Sequence, residues 1–168
     1  DLMRFDWAPA WLPVGATTYA VDQLFSIPVT LPQFLDNNHA VTDETSARNY
    51  IARLGAAATK LDQVRANFDM QARQGVVPPQ VALEGAATQI RALLKPAPAD
   101  SVFVQSLRRK LGKVASIAPA QRETLLAQAA SAVGEQTNPA YARLLARLDE
   151  VIASRPRKRC VWALPDGT

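Results

Sequence analysis

The chain has 168 residues, of which 48% are hydrophobic and 20% are charged, and its formal net charge is +4. This length allows one domain with a hydrophobic core, whereas a single cysteine excludes an internal disulfide or a cysteine-based zinc site. A single histidine excludes two-histidine metal motifs within the chain, and no apolar run approaches the roughly 18 residues that span a membrane.

The first 41 residues differ in composition from the rest of the chain. They contain two of the three tryptophans and four of the twelve prolines. Because proline lacks a backbone donor and disfavours a helical conformation in the residue before it, we predict an irregular Pro-rich packing segment over 1–41. One or two helical turns are expected within it, around 32–38. Its apolar side chains predict that it lies over the helical body or over a missing neighbour.

Two helices are predicted after this segment. Thr42 and Asp43 are suitable N-cap residues for a first helix up to residue 54, in which apolar residues recur at helical spacing. Gly55 indicates a break, and a second apolar stripe follows over 57–74. Gly75 then supplies a left-handed C-terminal stop.

Prolines and small polar residues mark the starts of the later helices. In chain order these starts are Pro78 or Pro79, Asp100 or Ser101, Pro119, and Pro139, which begins a sixth helix or kinks the fifth. The connections are short, so helices that follow one another in sequence should be antiparallel neighbours. The sequence therefore predicts an all-α fold, an antiparallel bundle of five or six helices over 42–156.

Residues 157–168 are predicted to be a linker followed by a short terminal strand and a turn. An apolar run over 160–164 precedes Pro-Asp-Gly, which is typical of a turn between two strands. A strand without a partner is not stable alone, and the first residue is aspartate instead of methionine. We therefore expect the chain to be a piece of a longer protein and to pack against the remainder of that protein.

Positive charge is concentrated in the second half of the sequence. Residues 1–84 carry a net charge of −3 and residues 85–168 carry +7. Two clusters contribute most of it: Arg108, Arg109, Lys110 and Lys113, and Arg155, Arg157, Lys158 and Arg159. A solvated helix face and a charged linker are the simpler interpretation. The alternative is a stand-alone helical binding module whose basic half binds an acidic protein or nucleic acid, and a steep salt dependence of nucleic-acid binding would favour it.

Four short motifs together resemble a known bacterial family. They are residues 26–39 (SIPVTLPQFLDNNH) with 49–54 (NYIARL), then 75–79 (GVVPP), 138–145 (NPAYARLL) and 161–167 (VWALPDG). In this order they resemble the family called domain of unknown function eight-eight-five, over about residues 24–168. One departure is Cys160, where members usually have a glycine, so the local turn could differ here.

The resemblance implies a long, mostly helical protein that is exported or lipid-anchored and is similar to zinc metallopeptidases. Its catalytic His-Glu motif would lie well downstream of this chain. We therefore expect no catalytic residue, set of metal ligands or cofactor in these 168 residues. Zinc is expected only in the full-length parent. The chain would be a non-catalytic scaffold that forms part of a substrate channel wall. A periplasmic or exported location is implied, although one cysteine also suits the cytoplasm.

Three residues are candidates for contact with a peptide substrate. Tyr50 and Arg53 lie three apart on one predicted helix, where a guanidinium can clamp a carboxylate and a hydroxyl can donate to a carbonyl. Tyr50 also belongs to an apolar stripe, which favours core packing. His39 could contribute to a site completed by missing residues, or make a structural hydrogen bond at a helix entrance.

Two other features have simpler explanations than catalysis. The adjacent carboxylates of Asp43 and Glu44 could serve acid–base chemistry, but at the start of a helix they complement its macrodipole. Cys160 follows three basic residues, which predicts a modestly reactive surface thiol.

Overall fold

The structure is a computed structural model, and it describes residues 19–24 and 26–154. Within these residues there are six α-helices: α1 (Ile27–Asn38), α2 (Glu44–Arg73), α3 (Gln80–Leu94), α4 (Val102–Leu111), α5 (Pro119–Ala132) and α6 (Asn138–Ser154). A short 3₁₀ helix precedes α4, and one π-helical turn, Val133–Thr137, joins α5 to α6. The all-α prediction is confirmed, whereas the predicted terminal strand lies outside the described residues.

Helix α1 is longer than the one or two turns expected around 32–38. It begins at Ile27, five residues earlier, with Pro28 in its first turn and Pro32 inside it. Pro28 costs nothing there, because the first amides of a helix have no intrahelical acceptor. Pro32 removes the hydrogen bond that the Pro28 carbonyl would normally accept. The buried Tyr141 hydroxyl donates to that carbonyl instead, at 2.8 Å. The carbonyl therefore keeps a hydrogen-bond donor, and the helix continues beyond Pro32.

Helix α2 shows that the predicted break at Gly55 is wrong. The helix runs unbroken for 30 residues. Gly55 lies within it, at a place where the side chain of Gln136 approaches the helix closely. A Cβ atom at Gly55 would lie 2.6 Å from Oε1 of Gln136 in the π-helical turn. The Thr137 hydroxyl, in the same turn, donates to the Leu54 carbonyl at 3.1 Å. Gly75, with φ 78°, ends the helical region as predicted.

Helices α5 and α6 form one continuous rod through the π-helical turn. Pro139 lies at the second position of α6, where a straight α-helix would lose a hydrogen bond and meet a clash with the preceding turn. A π-helical turn before the proline relieves this conflict by changing the local hydrogen-bond register. Pro139 therefore lies in the first turn of a sixth helix, α6, as one of the two alternatives predicted, and the π-helical turn joins this helix to α5 without a loop.

The α5–α6 rod runs parallel to α2 along most of its length. Contacts advance along both chains together, from Glu44 with Gln121 to Leu54 with Thr137. They continue with Asp62, which accepts from Arg143 at 3.0 and 2.6 Å, and with Asp69, which accepts from Arg147 at 2.5 Å. The antiparallel arrangement expected of helices adjacent in sequence thus does not extend to this pair, because α3 and α4 form the crossover between them.

The core lies between these two rods and α3 and α4. The predicted apolar stripes supply it, and the fully buried large side chains include Leu54, Leu61, Phe68, Leu83, Ile90, Leu107, Leu125 and Leu144. Helix α6 packs against both α2 and α3, and α1 packs across α2, α3 and α4. The end of α1 and the start of α2 therefore meet at the edge of this packed bundle.

Two helical glycines should respond differently to alanine. Gly55→Ala should raise the free energy of unfolding by about 0.5–1 kcal/mol, since alanine is the better helix former. Only the end of the exposed Gln136 side chain must move. At Gly85 the new Cβ would lie 3.0 Å from the Cβ of Gln23, so overpacking should remove the gain. Urea unfolding of both variants checks this, and equal gains would contradict it.

Candidate functional site

The candidate site lies where α1 ends and α2 begins. Asp43 is the N-cap of α2: its carboxylate accepts from the Ser46 amide at 2.7 Å, and the Ser46 hydroxyl accepts from the Asp43 amide at 3.0 Å. These reciprocal bonds form a capping box, which fixes the entry of the chain into the helix. They lower the pKa of the Asp43 carboxyl, mainly through the Ser46 backbone hydrogen bond. The helix-start role predicted for Asp43 is thus present.

Both ring nitrogens of His39 are hydrogen-bonded in this junction. The imidazole is 6% exposed, its Nε2 lies 2.9 Å from the Ser46 carbonyl oxygen, and its Nδ1 lies 2.8 Å from Nη1 of Arg53. A carbonyl requires a donor and a guanidinium requires an acceptor. We therefore assign the hydrogen to Nε2, which leaves Nδ1 to accept from Arg53.

Arg53 is the exposed member of the three predicted contact residues. Its side chain lines an open pocket of about 520 Å³ between the end of α1 and the first turns of α2. The other lining residues are polar or small: Asn38, His39, Ala40, Ser46, Asn49, Ala52 and Ala56. The pocket wall described here thus carries one guanidinium and no carboxylate.

Tyr50 lies behind this pocket, in the core. It is fully buried, and its hydroxyl donates to the Phe103 carbonyl at 3.1 Å. Its ring meets the His39 ring edge to face, with centroids 5.2 Å apart. Burial raises the pKa of the Tyr50 hydroxyl. The structure brings Tyr50, His39 and Arg53 together, with Tyr50 supporting the imidazole from inside.

A second polar cluster fixes the end of α1 to α4, and the sequence interpretation missed it. Asp36 accepts from the Ser106 hydroxyl at 2.6 Å and from Arg109 at 2.5 Å. The Ser106 hydrogen bond, with the nearby Arg109 guanidinium, lowers the pKa of the Asp36 carboxyl. The only sequence signal was a carboxylate near the end of one helix and a basic run in another, which does not predict a pairing.

Half of the first basic cluster, Arg109 and Lys110, makes contacts within the fold. Lys110 donates to the carbonyls of Leu35 and His39 at 2.8 and 2.6 Å, where a cation stabilises the free carbonyls at a helix end. Burial lowers the pKa of the Lys110 ammonium, and its Nζ lies 5.4 Å from the Tyr50 ring centre. Two of the four charges thus hold α1, and the second basic cluster and Cys160 lie outside the described residues.

The Asp36 contacts should make the fold sensitive to acid. Because the folded pKa of this carboxyl is lowered, its stabilisation is complete above the unfolded value of about 3.9 and is lost as the pH falls through the folded pKa. Asp36→Asn should therefore reduce the loss of unfolding free energy between about pH 5 and about pH 3. Urea unfolding at both pH values measures it. Identical pH dependence in the two proteins would contradict this role of Asp36. The pKa values of Asp43 and Asp62 are also lowered by hydrogen bonds, to Ser46 and Arg143 respectively, and they contribute equally to the pH dependence of both proteins.

Residues 19–24 and 26–154 contain no group of three or more histidine, cysteine, aspartate or glutamate side chains placed to hold a metal ion. Within the same residues, no helix combines the length and apolar character that crossing a membrane requires.

Comparison with known proteins identifies the family. Residues 6–168 match the family described as "Bacterial protein of unknown function (DUF885)". The chain belongs to this family. The match covers nearly the whole sequence and includes all four motifs that suggested the resemblance. No curated protein sequence matches the chain.

A solved structure shares the fold of this family member. It is described as "the putative lipoprotein from Colwellia psychrerythraea", and it superimposes with a TM-score of 0.75 at 25% sequence identity. The match covers 89% of this chain and 26% of that one. The chain therefore spans about a quarter of the length of this related protein.

Proposed function

We propose that this chain is a non-catalytic helical scaffold within a longer, exported bacterial protein similar to metallopeptidases. In this proposal its α1–α2 junction forms part of a substrate channel wall, where Arg53, backed by His39 and Tyr50, contacts a peptide. The observation that carries the proposal is the exposed Arg53 guanidinium, fixed by His39 at 2.8 Å in an open pocket.

Two further observations support a scaffold role. The related lipoprotein is about four times as long as the part that this chain matches, which leaves room for a catalytic region elsewhere. Helix α2 and the α5–α6 rod are linked by paired Asp62–Arg143 and Asp69–Arg147 contacts, and such rigid elements hold a binding residue in place better than loops do.

The reaction itself would be hydrolysis of a peptide or amide bond by water bound to a metal, a role that zinc commonly has in hydrolases. This part of the proposal rests on the family resemblance. The described residues do not fit a zinc site, because they contain no group of candidate ligands and both nitrogens of His39 are already bonded. We therefore assign no catalytic step to them.

An exported or periplasmic location is part of the same proposal. The supporting observation is that the related solved protein is described as a "putative lipoprotein", and lipoproteins are held at a membrane surface by attached acyl chains.

The test uses the full-length parent protein, with Arg53→Ala as the diagnostic variant. Hydrolysis of peptides should depend on a metal and stop with a chelator. Loss of a charge-assisted contact should raise KM about tenfold while kcat is kept, because the contact is made equally in the ground and transition states. Arg73→Ala, an exposed arginine at the end of α2, is the matched control. An unchanged KM in Arg53→Ala would refute the contact, and chelator-insensitive hydrolysis would refute the metallopeptidase assignment.

A further inference from the structure

Arg53 differs from most arginines of the described residues in having no acidic partner. Six of the ten arginines in the described residues have such a partner. Arg65 lies 3.5 Å from a carboxylate oxygen of Asp69, and the other five lie 2.5–2.6 Å from one: Arg48, Arg91, Arg109, Arg143 and Arg147. The only side chain hydrogen-bonded to Arg53 among the described residues is the imidazole of His39. A neutral imidazole accepts a hydrogen bond without neutralising the charge, so the guanidinium keeps its full attraction for an anion.

The orientation of this guanidinium is fixed by a chain of hydrogen bonds. Ser46 carbonyl accepts from Nε2 of His39, and Nδ1 of His39 accepts from Nη1 of Arg53, at 2.9 and 2.8 Å. The capping box fixes Ser46 itself. Because one end of the guanidinium is held, its remaining N–H groups sample fewer directions, and less side-chain entropy is lost when a ligand binds.

The pocket beside Arg53 suits a small ligand with one negative charge. Asn49 lies four residues before Arg53, hence on the same face of α2, and it lines the pocket together with Ala52 and Ala56. Its amide can donate to one oxygen of a carboxylate while the guanidinium donates to the other. The alanines leave space for a short side chain. A phosphate, with a charge of about −1.5 to −2, would be matched by one cation only in part.

We propose that this pocket binds the C-terminal carboxylate of a peptide, with Arg53 and Asn49 as its ligands and His39 as the positioning residue of Arg53. The inference deepens the proposed substrate contact and rests on it for the identity of the ligand as a peptide. It does not depend on any hydrolytic activity.

The experiment titrates the 168-residue chain, labelled with ¹⁵N, with N-acetyl-Ala-Ala and with the same peptide as its C-terminal amide. The free acid should shift the Arg53 Nε–H and Asn49 signals, and the amide should bind at least about tenfold more weakly, because the charge-assisted pair is lost. Arg53→Ala should show the same loss, whereas Arg73→Ala should bind like the original chain. Equal binding of acid and amide, or no binding of the acid, would overturn the proposal. Stronger binding of inorganic phosphate would overturn the carboxylate assignment.

Two histidine variants test the positioning role. His39→Asn can keep an acceptor near the place of Nδ1, whereas His39→Gln can keep a donor towards Ser46 and removes that acceptor. Affinity for the free acid should fall several-fold more in His39→Gln than in His39→Asn, with thermal unfolding confirming that both are folded. Equal affinities would refute the positioning role. If the chain binds the free acid but the full-length parent hydrolyses no peptide, the metallopeptidase proposal fails and the binding site stands. If the parent hydrolyses peptides but the chain does not prefer the free acid, the binding-site proposal fails and the metallopeptidase proposal stands.

Discussion

Replacing Tyr50 with alanine should lower the free energy of unfolding by about 3–5 kcal/mol, the usual cost of removing a large aromatic side chain from a core. Tyr50 is fully buried, and its ring contacts the His39 ring. The cavity would therefore also remove the support of the imidazole. Urea unfolding measures the loss, and the same samples should lose the acid-selective peptide binding at Arg53.

Tyr50→Phe is the matched control for this variant. It keeps the ring and its contact with His39 and removes only the hydrogen bond to the Phe103 carbonyl. The cost should be about 1–2 kcal/mol, and peptide binding should remain. A loss as large as that of Tyr50→Ala would mean that the hydroxyl, and not the ring, supports the site. An increased KM in a folded Tyr50→Phe parent would instead favour a direct contact of the hydroxyl with substrate.

Tyr141→Phe should lower the free energy of unfolding by about 1–3 kcal/mol, although it removes a single oxygen atom. The Tyr141 hydroxyl donates to the Pro28 carbonyl in a buried position, and burial strongly raises the pKa of this hydroxyl. Without the hydroxyl, the carbonyl would be buried with neither this donor nor the amide donor that Pro32 lacks. Urea or thermal unfolding of the chain checks the loss.

A double-mutant cycle with Pro32→Ala distinguishes this explanation from ordinary core packing. Alanine at position 32 supplies the missing backbone N–H, so the Pro28 carbonyl gains a helical donor. Tyr141→Phe should then cost at least about 1 kcal/mol less in the Pro32→Ala background than in the original chain. Equal costs in both backgrounds would show that the hydroxyl does not compensate for the proline.

Helical periodicity predicted most of the fold because it depends on residues near one another in sequence. The stripes over 43–54 and 57–74 are buried as expected, and Gly75 and Ser101 end and begin helices as predicted. Gly55 misled the prediction because its neighbour, Gln136, lies in a turn that sequence spacing does not relate to it. The length of helix α1 was underestimated because Pro32 lacks the amide that would donate to the Pro28 carbonyl. The donor that replaces it is the hydroxyl of Tyr141, 113 residues further along the chain.

The candidate site was predictable to a similar extent. His39 and Arg53 were chosen for their chemistry, and their separation of 14 positions in the sequence is small enough for one helix entrance to bring them together. The contacts of Asp36 with Ser106 and Arg109 join residues 70 and 73 apart. No local pattern predicts such pairs, because their geometry is decided by how α4 packs across the end of α1.

Helix α1 depends on the rest of the bundle for its own existence. It has no side-chain N-cap, no acidic residue in its first turn and no basic residue in its last. Its carbonyls are bonded instead by Tyr141 and Lys110, which belong to two other helices. We therefore expect α1 to become ordered only when the rest of the bundle is folded, and to open more readily than the core helices. Because His39 is the C-cap of α1, an opening of α1 would remove the partner that holds Arg53. The affinity of the pocket should therefore scale with the fraction of molecules in which α1 is docked.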